Sequence, residues 1–520
     1  MIRPSVVPLS TGAICLLAFG SIVLFTATIQ QYLPHSEDEV AYLFQAQVFA
    51  QNRLTVPTPP LADAFWTPFV VDYEGKRFGK YPPGWPLLLS LGVRLGRPWL
   101  VNPVLATVTL ALMAYLGHKF YPAERGWLPL LVASLGLTTP GFLFLSSSLL
   151  SHSASLFWTV LALLALYLLT STSRPLHIRL YALLCGGFLG AIFVTRPAAA
   201  LGIALPIGVF LLILIFRTEL RWPVFFCVTV GGLIIALLLP LYWWFVAGDW
   251  RFNPYLLVWP YDRMGFGPDV GPHGYTLSNA LFINMRLKLA TLATGLFGWP
   301  GWTNLLFLPL PFVASWFDRA MRPNRWDWLL LGLIGGLMFI HLFYWAFGGT
   351  DGGFPRYYFD ALPALLLLTI RGVLLTAHWL NRWAITSLSW QTGNTYLRFN
   401  WVVAVCIAGL VLYSFFSTLP PLLTAQKAKY GITPDALNLI REANPPTPAL
   451  ILVQNVKSWS DFAPFFVANS PTLDGPLVYA IDWGAGWAQR LQAQFSDRNC
   501  WQLTTQQLLP CNKENYAEPR

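Results

Sequence analysis

The chain has 520 residues, of which 55% are hydrophobic and only 11% charged. Soluble domains carry about 25% charged residues, so an ordinary soluble enzyme is excluded, and the 37 Phe, 24 Trp and 20 Tyr exclude a disordered chain. The net charge of +10 comes with no basic arm or nucleic-acid motif; it reads as cationic loops retained on the cytoplasmic side of a membrane, and no nucleic-acid partner is expected.

In chain order, apolar runs bounded by charge predict membrane spans near 10–29, 99–117, 127–145, 153–170, 180–195, 198–216, 223–246, 287–315, 328–347, 358–375 and 400–419, about eleven in all. The first run follows Met1-Ile2-Arg3 and lacks a small-residue cleavage site before His35, so it is expected to stay as an anchor. With the N-terminus inside, the short cytoplasmic loops hold Lys119, Arg125, Arg174, Arg179, Arg217, Arg221, Arg319, Arg322, Arg325, Arg382 and Arg398. The opposite short turns at 146–152 and 348–357 hold only Arg356 between them, which favours this orientation in a bacterial inner membrane.

The expected fold is therefore a polytopic α-helical membrane protein. A transmembrane domain at 1–419, with outer segments 30–98 and 247–286, precedes a small α/β extracytoplasmic domain at 420–520. Strands are expected at 449–453 and 477–480, and the short Pro-flanked stretch 83–96 suits a helix lying in the interface. Cys500 and Cys511 fall in the outer C-terminal region and are disulfide candidates. Cys15, Cys185, Cys227 and Cys406 sit in apolar runs and read as packing residues.

The densest ionisable cluster, His35-Ser36-Glu37-Asp38-Glu39, stands where the first span ends, ahead of an amphipathic helix over 40–50. Carboxylates in a first helical turn suit the helix dipole, so capping and chemistry are both open there. A second cluster, Lys80-Tyr81-Pro82-Pro83-Gly84, makes a rigid turn carrying a cation suited to a phosphate, or simply a solvated lysine. Thr195-Arg196-Pro197 and Arg356-Tyr357 place further cations at span ends on the side expected to carry fewest in its short turns, and Tyr261-Asp262-Arg263 places one in the outer segment 247–286. Cations in that position are functional candidates, although snorkelling is the plainer reading of each one alone.

Taken in order, Asp38-Glu39, Lys80-Tyr81-Pro82-Pro83, Thr195-Arg196-Pro197 and 354–363 resemble the motifs of the polyprenyl-phosphate-dependent C-type glycosyltransferases, the superfamily of protein O-mannosyltransferases and lipid A aminoarabinose transferases. Residues 10–375 follow that layout, with one Tyr inserted in the Lys-Pro-Pro turn. The resemblance implies the C-type glycosyltransferase fold and inverting sugar transfer from a polyprenyl-phosphate donor to a lipid, glycan or protein acceptor at the outer membrane face. It implies Asp38 and Glu39 as catalytic carboxylates, and Lys80, Arg356, Arg196 and Arg263 as ligands of the donor phosphate. Tyr81, Tyr357 and His152 are then further substrate contacts. His152 stands where the family often has an acid, so it either takes a polar role or caps its helix. No metal ligand set is assigned; no cofactor is required, and a divalent metal is conceivable without support from a second carboxylate. The rival readings are a transporter or flippase of lipid-linked sugars, which calls for mid-span charges and inverted repeats, and a noncatalytic lipid-sugar-binding assembly protein.

Overall fold

A computed structural model describes residues 6–122, 126–217, 219–317, 322–387, 395–427, 429–484, 486–504 and 507–511. Met1, Ile2, Arg3, Arg125, Arg319 and the side chain of Arg398 lie outside the described residues. Nine helices among those described are long and apolar enough to cross a membrane: Pro8–Thr28, Pro98–Phe120, His152–Ser171, Pro175–Thr195, Pro197–Phe216, Trp222–Ala247, Arg325–Phe343, Arg356–Trp383 and Asn400–Gly431. The pair Leu128–Leu137 and Pro140–Ser147 passes the same test together but is bent by 63°, the geometry of a broken span or a re-entrant loop. The bend falls at Thr138-Thr139-Pro140, where proline removes a backbone donor and forces the preceding residue out of helix.

The expected single span at 287–315 is corrected. It breaks into Arg286–Gly295, Thr303–Leu306 and Leu310–Phe317, because Gly298 and Gly301 take positive φ on either side of Pro300. The freed backbone groups are satisfied by fully buried Asn304, which accepts from the Phe297 and Trp299 amides and donates to the carbonyls of Ala293, Trp299 and Gly301. Such internal satisfaction is what non-helical backbone at membrane depth requires. Elsewhere helices meet through small residues. A side chain at Gly186 would run into the Val228 carbonyl, and one at Gly231 into that of Leu183, which lets Pro175–Thr195 and Trp222–Ala236 approach closely.

Segment 30–98 carries three elements. Helix α1 (Glu37–Ala50) packs against α2 (Gly84–Arg94), and between them runs an antiparallel sheet of β1 (Val56–Pro57), β2 (Val70–Tyr73) and β3 (Lys76–Gly79) in the order β1-β3-β2. Arg77 locks that sheet through two 2.8 Å bonds to Asp72 and a third to the Phe65 carbonyl. Leu87, Leu91 and Leu95 leave one exposed apolar stripe on α2, the pattern of an interfacial helix.

The helical run that begins in the last span continues to Gln426. Beyond it, β4 (Ala449–Val453), β5 (Leu477–Ile481), β6 (Asn499–Leu503) and β7 (Leu508–Pro510) form a sheet in the order β5-β4-β6-β7; β4, β5 and β6 run parallel and β7 is antiparallel. All of β4 is buried, which explains its unbroken apolar sequence. Cys500 and Cys511 are joined as a disulfide across the β6–β7 edge, their Cα atoms 5.4 Å apart. Leu33 and Val40 from segment 30–98 share a hydrophobic cluster with Ile432, Ile440 and Phe462, so the small domain sits on the same end of the bundle as that segment.

Candidate active site

Helix dipole, turn geometry and a short hairpin bring three charged side chains together. Asp38 occupies the first turn of α1. Lys80 follows β3, its amide bonded to the Phe69 carbonyl, while the neighbouring Gly79 amide donates to Gln45 of α1. Arg356 follows the hairpin formed by 350–351 and 354–355. One Asp38 oxygen accepts from the Tyr81 hydroxyl, and the other lies 3.0 Å from the Arg356 guanidinium. Burial alone would raise the Asp38 pKa; the Arg356 charge, the Tyr81 bond and the Lys80 charge together outweigh it and hold the carboxyl below its ordinary value.

The Lys80 ammonium is caged by aromatic rings, 3.5 Å from the Phe69 centroid, 4.4 Å from Trp259 and just over 5 Å from Tyr255 and Tyr81. Cation–π attraction offsets part of the desolvation of this side chain, which is only 2% exposed. Burial nonetheless pushes its pKa down to about 8, against the opposing pull of Asp38, Asp262 and Glu37. Among the described residues it has no hydrogen-bond acceptor and no ion-pair partner, so its charge is available to an incoming anion.

These groups line one cavity of about 1110 Å³, and Asp38, Glu39, Lys80, Tyr81, His152, Arg196, Arg263, Arg356 and Tyr357 all contribute to its wall. They do not contribute equally. Glu39 is 2% exposed, and its carboxylate accepts from the His35 and Leu149 amides and from Ser36, pinning α1 to the 148–151 turn. These bonds give Glu39 a positioning part as well as its place in the cavity wall, and Glu37, on the other side of Asp38 in sequence, lines the same cavity. Burial, then the Asp38 charge, raises the Glu37 pKa. Two adjacent carboxyls pushed in opposite directions are the arrangement from which acid and base roles arise.

His152 does not occupy the cap position of its helix, which is Ser151; among the described residues neither ring nitrogen of His152 has a hydrogen-bond partner, and the ring stands edge-on to Phe359 in the cavity wall. Arg263 is exposed at the rim, its Nε donating to the Pro260 carbonyl. Tyr357 stacks on His341 with the Arg196 guanidinium 5.9 Å from its ring centre. Arg196 itself pairs at 3.2 Å with Asp360, which is fully buried and also accepts from Thr159. Removing one partner of a buried pair leaves an uncompensated charge, so Arg196→Gln should destabilise the protein by about 3–5 kcal/mol and Asp360→Asn added to it should recover much of the loss. Thermal unfolding of the two variants in detergent checks this.

The aromatic cage had no signal in the sequence beyond aromatic abundance, whereas Asp262, which accepts from Tyr344 and Trp345, stood in the Tyr261-Asp262-Arg263 stretch without being singled out as a site residue. Among the described residues no three His, Cys, Asp or Glu side chains gather as a metal site.

No protein-family model and no curated protein sequence matches the chain. In three dimensions it is similar to ArnT from Cupriavidus metallidurans. The apo crystal structure superposes with a TM-score of 0.50 at 13% identity, covering 89% of this chain and 85% of that one. The structure bound to undecaprenyl phosphate gives 0.52 at 13% identity, covering 94% and 87%. The chain has the fold of ArnT. It is thus a polytopic helical membrane protein of the C-type glycosyltransferase fold, with its small mixed sheet at the C-terminal end. At 13% identity the likeness to ArnT concerns architecture, and the chemistry must be argued from the cavity.

Proposed function

We propose that the chain is an inverting glycosyltransferase, hexosyl or pentosyl, that moves a sugar from a polyprenyl phosphate to an acceptor hydroxyl or phosphate on the outer face of a bacterial inner membrane. The N-terminus is then cytoplasmic, and the cavity and C-terminal domain extracytoplasmic. The observation that carries this reading is the convergence of Asp38, Lys80 and Arg356 on one cavity from three distant parts of the chain. The occurrence of the same fold in an ArnT structure bound to undecaprenyl phosphate supports a lipid-linked donor.

The steps follow from the charges. The donor phosphate settles between Lys80 and Arg356; the guanidinium fork engages two of its oxygens and the caged ammonium a third. The acceptor oxygen attacks the anomeric carbon from the face opposite the phosphate, forming a C–O bond as the sugar–phosphate bond breaks. Asp38 takes the acceptor proton, and the leaving phosphate keeps the electron pair, stabilised by the two cations. Because the phosphate competes with Asp38 for Arg356, donor binding withdraws the strongest charge that lowers the Asp38 pKa. The carboxylate therefore becomes a better base when the acceptor must release its proton.

The test is transfer by the purified protein in nanodiscs, using a polyprenyl-phosphate sugar and an envelope extract as acceptor source. Mass spectrometry names the product, and its NMR coupling constants give the anomeric configuration. Inverted product is expected; retained configuration, or no product from any such donor, rejects the reading.

A further inference from the structure

A second cleft, of about 500 Å³, lies between the first outer segment and the C-terminal domain, at the ends of β4 and β5. Its walls are unusual. Four tryptophans line it, Trp66, Trp459, Trp483 and Trp487, together with Asp63 and Lys457. Trp459 and Trp487 rest against the domain's two hydrophobic clusters and line the cleft as well. Trp66 and Trp483 are 45% and 47% exposed. The Trp483 indole donates to the Asp63 carbonyl at 3.0 Å, which fixes the two sides of the cleft against each other. No hydrogen bond or ion pair among the described residues engages the Asp63 carboxylate or the Lys457 ammonium.

Large aromatic faces left open to solvent and rimmed by free polar groups mark a binding site rather than a core. The ligand chemistry follows from the lining. A pyranose ring has an apolar face of C–H groups that stacks on an indole, and a rim of hydroxyls that both donate and accept; a carboxylate and an ammonium serve those two needs. A lipid tail would leave Asp63 and Lys457 unpaired. A peptide strand would seek a free sheet edge, whereas the cleft lies across the ends of the strands.

Position adds a second argument. Trp459 belongs to both walls, so the cleft adjoins the cavity that holds Asp38 and Lys80. We propose that this tryptophan-lined cleft binds the acceptor as a saccharide, holding the sugar units beyond the one that is glycosylated. The inference rests on the transferase reading above and narrows its acceptor to a glycan or the glycan part of a glycolipid. The small α/β domain then serves as the acceptor-binding wall.

The experiment is saturation-transfer NMR on the full chain in detergent, with cellohexaose, maltohexaose, chitohexaose and α-1,6-mannohexaose as probes. At least one probe should receive saturation at its ring C–H protons. Trp66→Ala, whose indole makes no hydrogen bond among the described residues, and Trp487→Ala should each weaken that binding by about tenfold or more. Trp302→Ala, exposed away from the cleft, should bind as the wild type does. Absence of saturation in all four probes overturns the proposal, as does unchanged binding in both cleft variants. Saturation of a mixed decapeptide or of phosphatidylethanolamine–phosphatidylglycerol vesicles in place of the sugars, lost in the same variants, overturns it too. Binding of undecaprenyl phosphate to the same samples separates the two readings. Saccharide binding without lipid-phosphate binding upholds the cleft and rejects the donor; the reverse rejects the cleft alone.

Discussion

Asp38→Asn should lower sugar transfer by about 10²–10⁴-fold, the usual worth of a positioned general base. The amide matches the carboxylate in shape and can still accept from the Tyr81 hydroxyl, so the first turn of α1 keeps its packing. What disappears is the proton acceptor and the charge facing Arg356. Donor affinity should therefore hold or improve, since the phosphate no longer competes with a carboxylate for that guanidinium. A fall in kcat with unchanged or lower KM for the donor is the signature. The pH dependence has a fixed sign. Asp38 acts ionised and its pKa lies below the ordinary carboxylate value, so wild-type kcat/KM should persist into mild acid and fall only as pH drops through that lowered pKa.

The second large effect belongs to Lys80. Lys80→Met keeps an unbranched apolar stem among Phe69, Tyr255 and Trp259 but deletes the charge. Loss of one preorganised cation at a leaving phosphate should lower kcat/KM for the donor by about 10²–10³-fold. Here the wild-type sign is opposite to that of Asp38. Lys80 acts protonated with a pKa near 8, so activity should fall as pH rises through that value, and this alkaline limb should be absent from Lys80→Met. Lys80→Arg should not rescue, because a planar fork does not fit a cage built around a compact ammonium. Steady-state kinetics from mild acid to pH 9 on both variants reads all of these outcomes.

Much of this architecture was legible because membranes impose simple rules. Long apolar runs such as 198–216 and 223–246 can only be spans, and the buried β4 announces itself as Ala449-Leu450-Ile451-Leu452-Val453. The run at 287–315 misled because hydropathy sums over residues and ignores backbone geometry. Gly295, Gly298, Pro300 and Gly301 carried the warning, and Asn304 supplied the repair that makes the break tolerable.

In the site, Asp38, Lys80 and Arg356 stood out because they fall in the Asp-Glu, Lys-Tyr-Pro-Pro and Arg-Tyr stretches that follow one another along the chain. Which of the three carboxylates is tied to the 148–151 turn was not legible. Three consecutive carboxylates in a helical turn point in directions about 100° apart, and only tertiary packing decides which one meets the Leu149 amide. Arg196 and Asp360 pair across 164 residues, and the cage around Lys80 draws on rings from two distant segments of a chain that is 16% aromatic. Sequence spacing carries no trace of either contact.

The most direct test of the account is a single-turnover experiment in which wild type and Asp38→Asn are preloaded with a polyprenyl-phosphate sugar and then given acceptor. Wild type should transfer the sugar, while the variant should hold the donor intact through the same interval. Transfer by Asp38→Asn at the wild-type rate would contradict the role assigned to this carboxylate, and with it the chemistry proposed for the cavity.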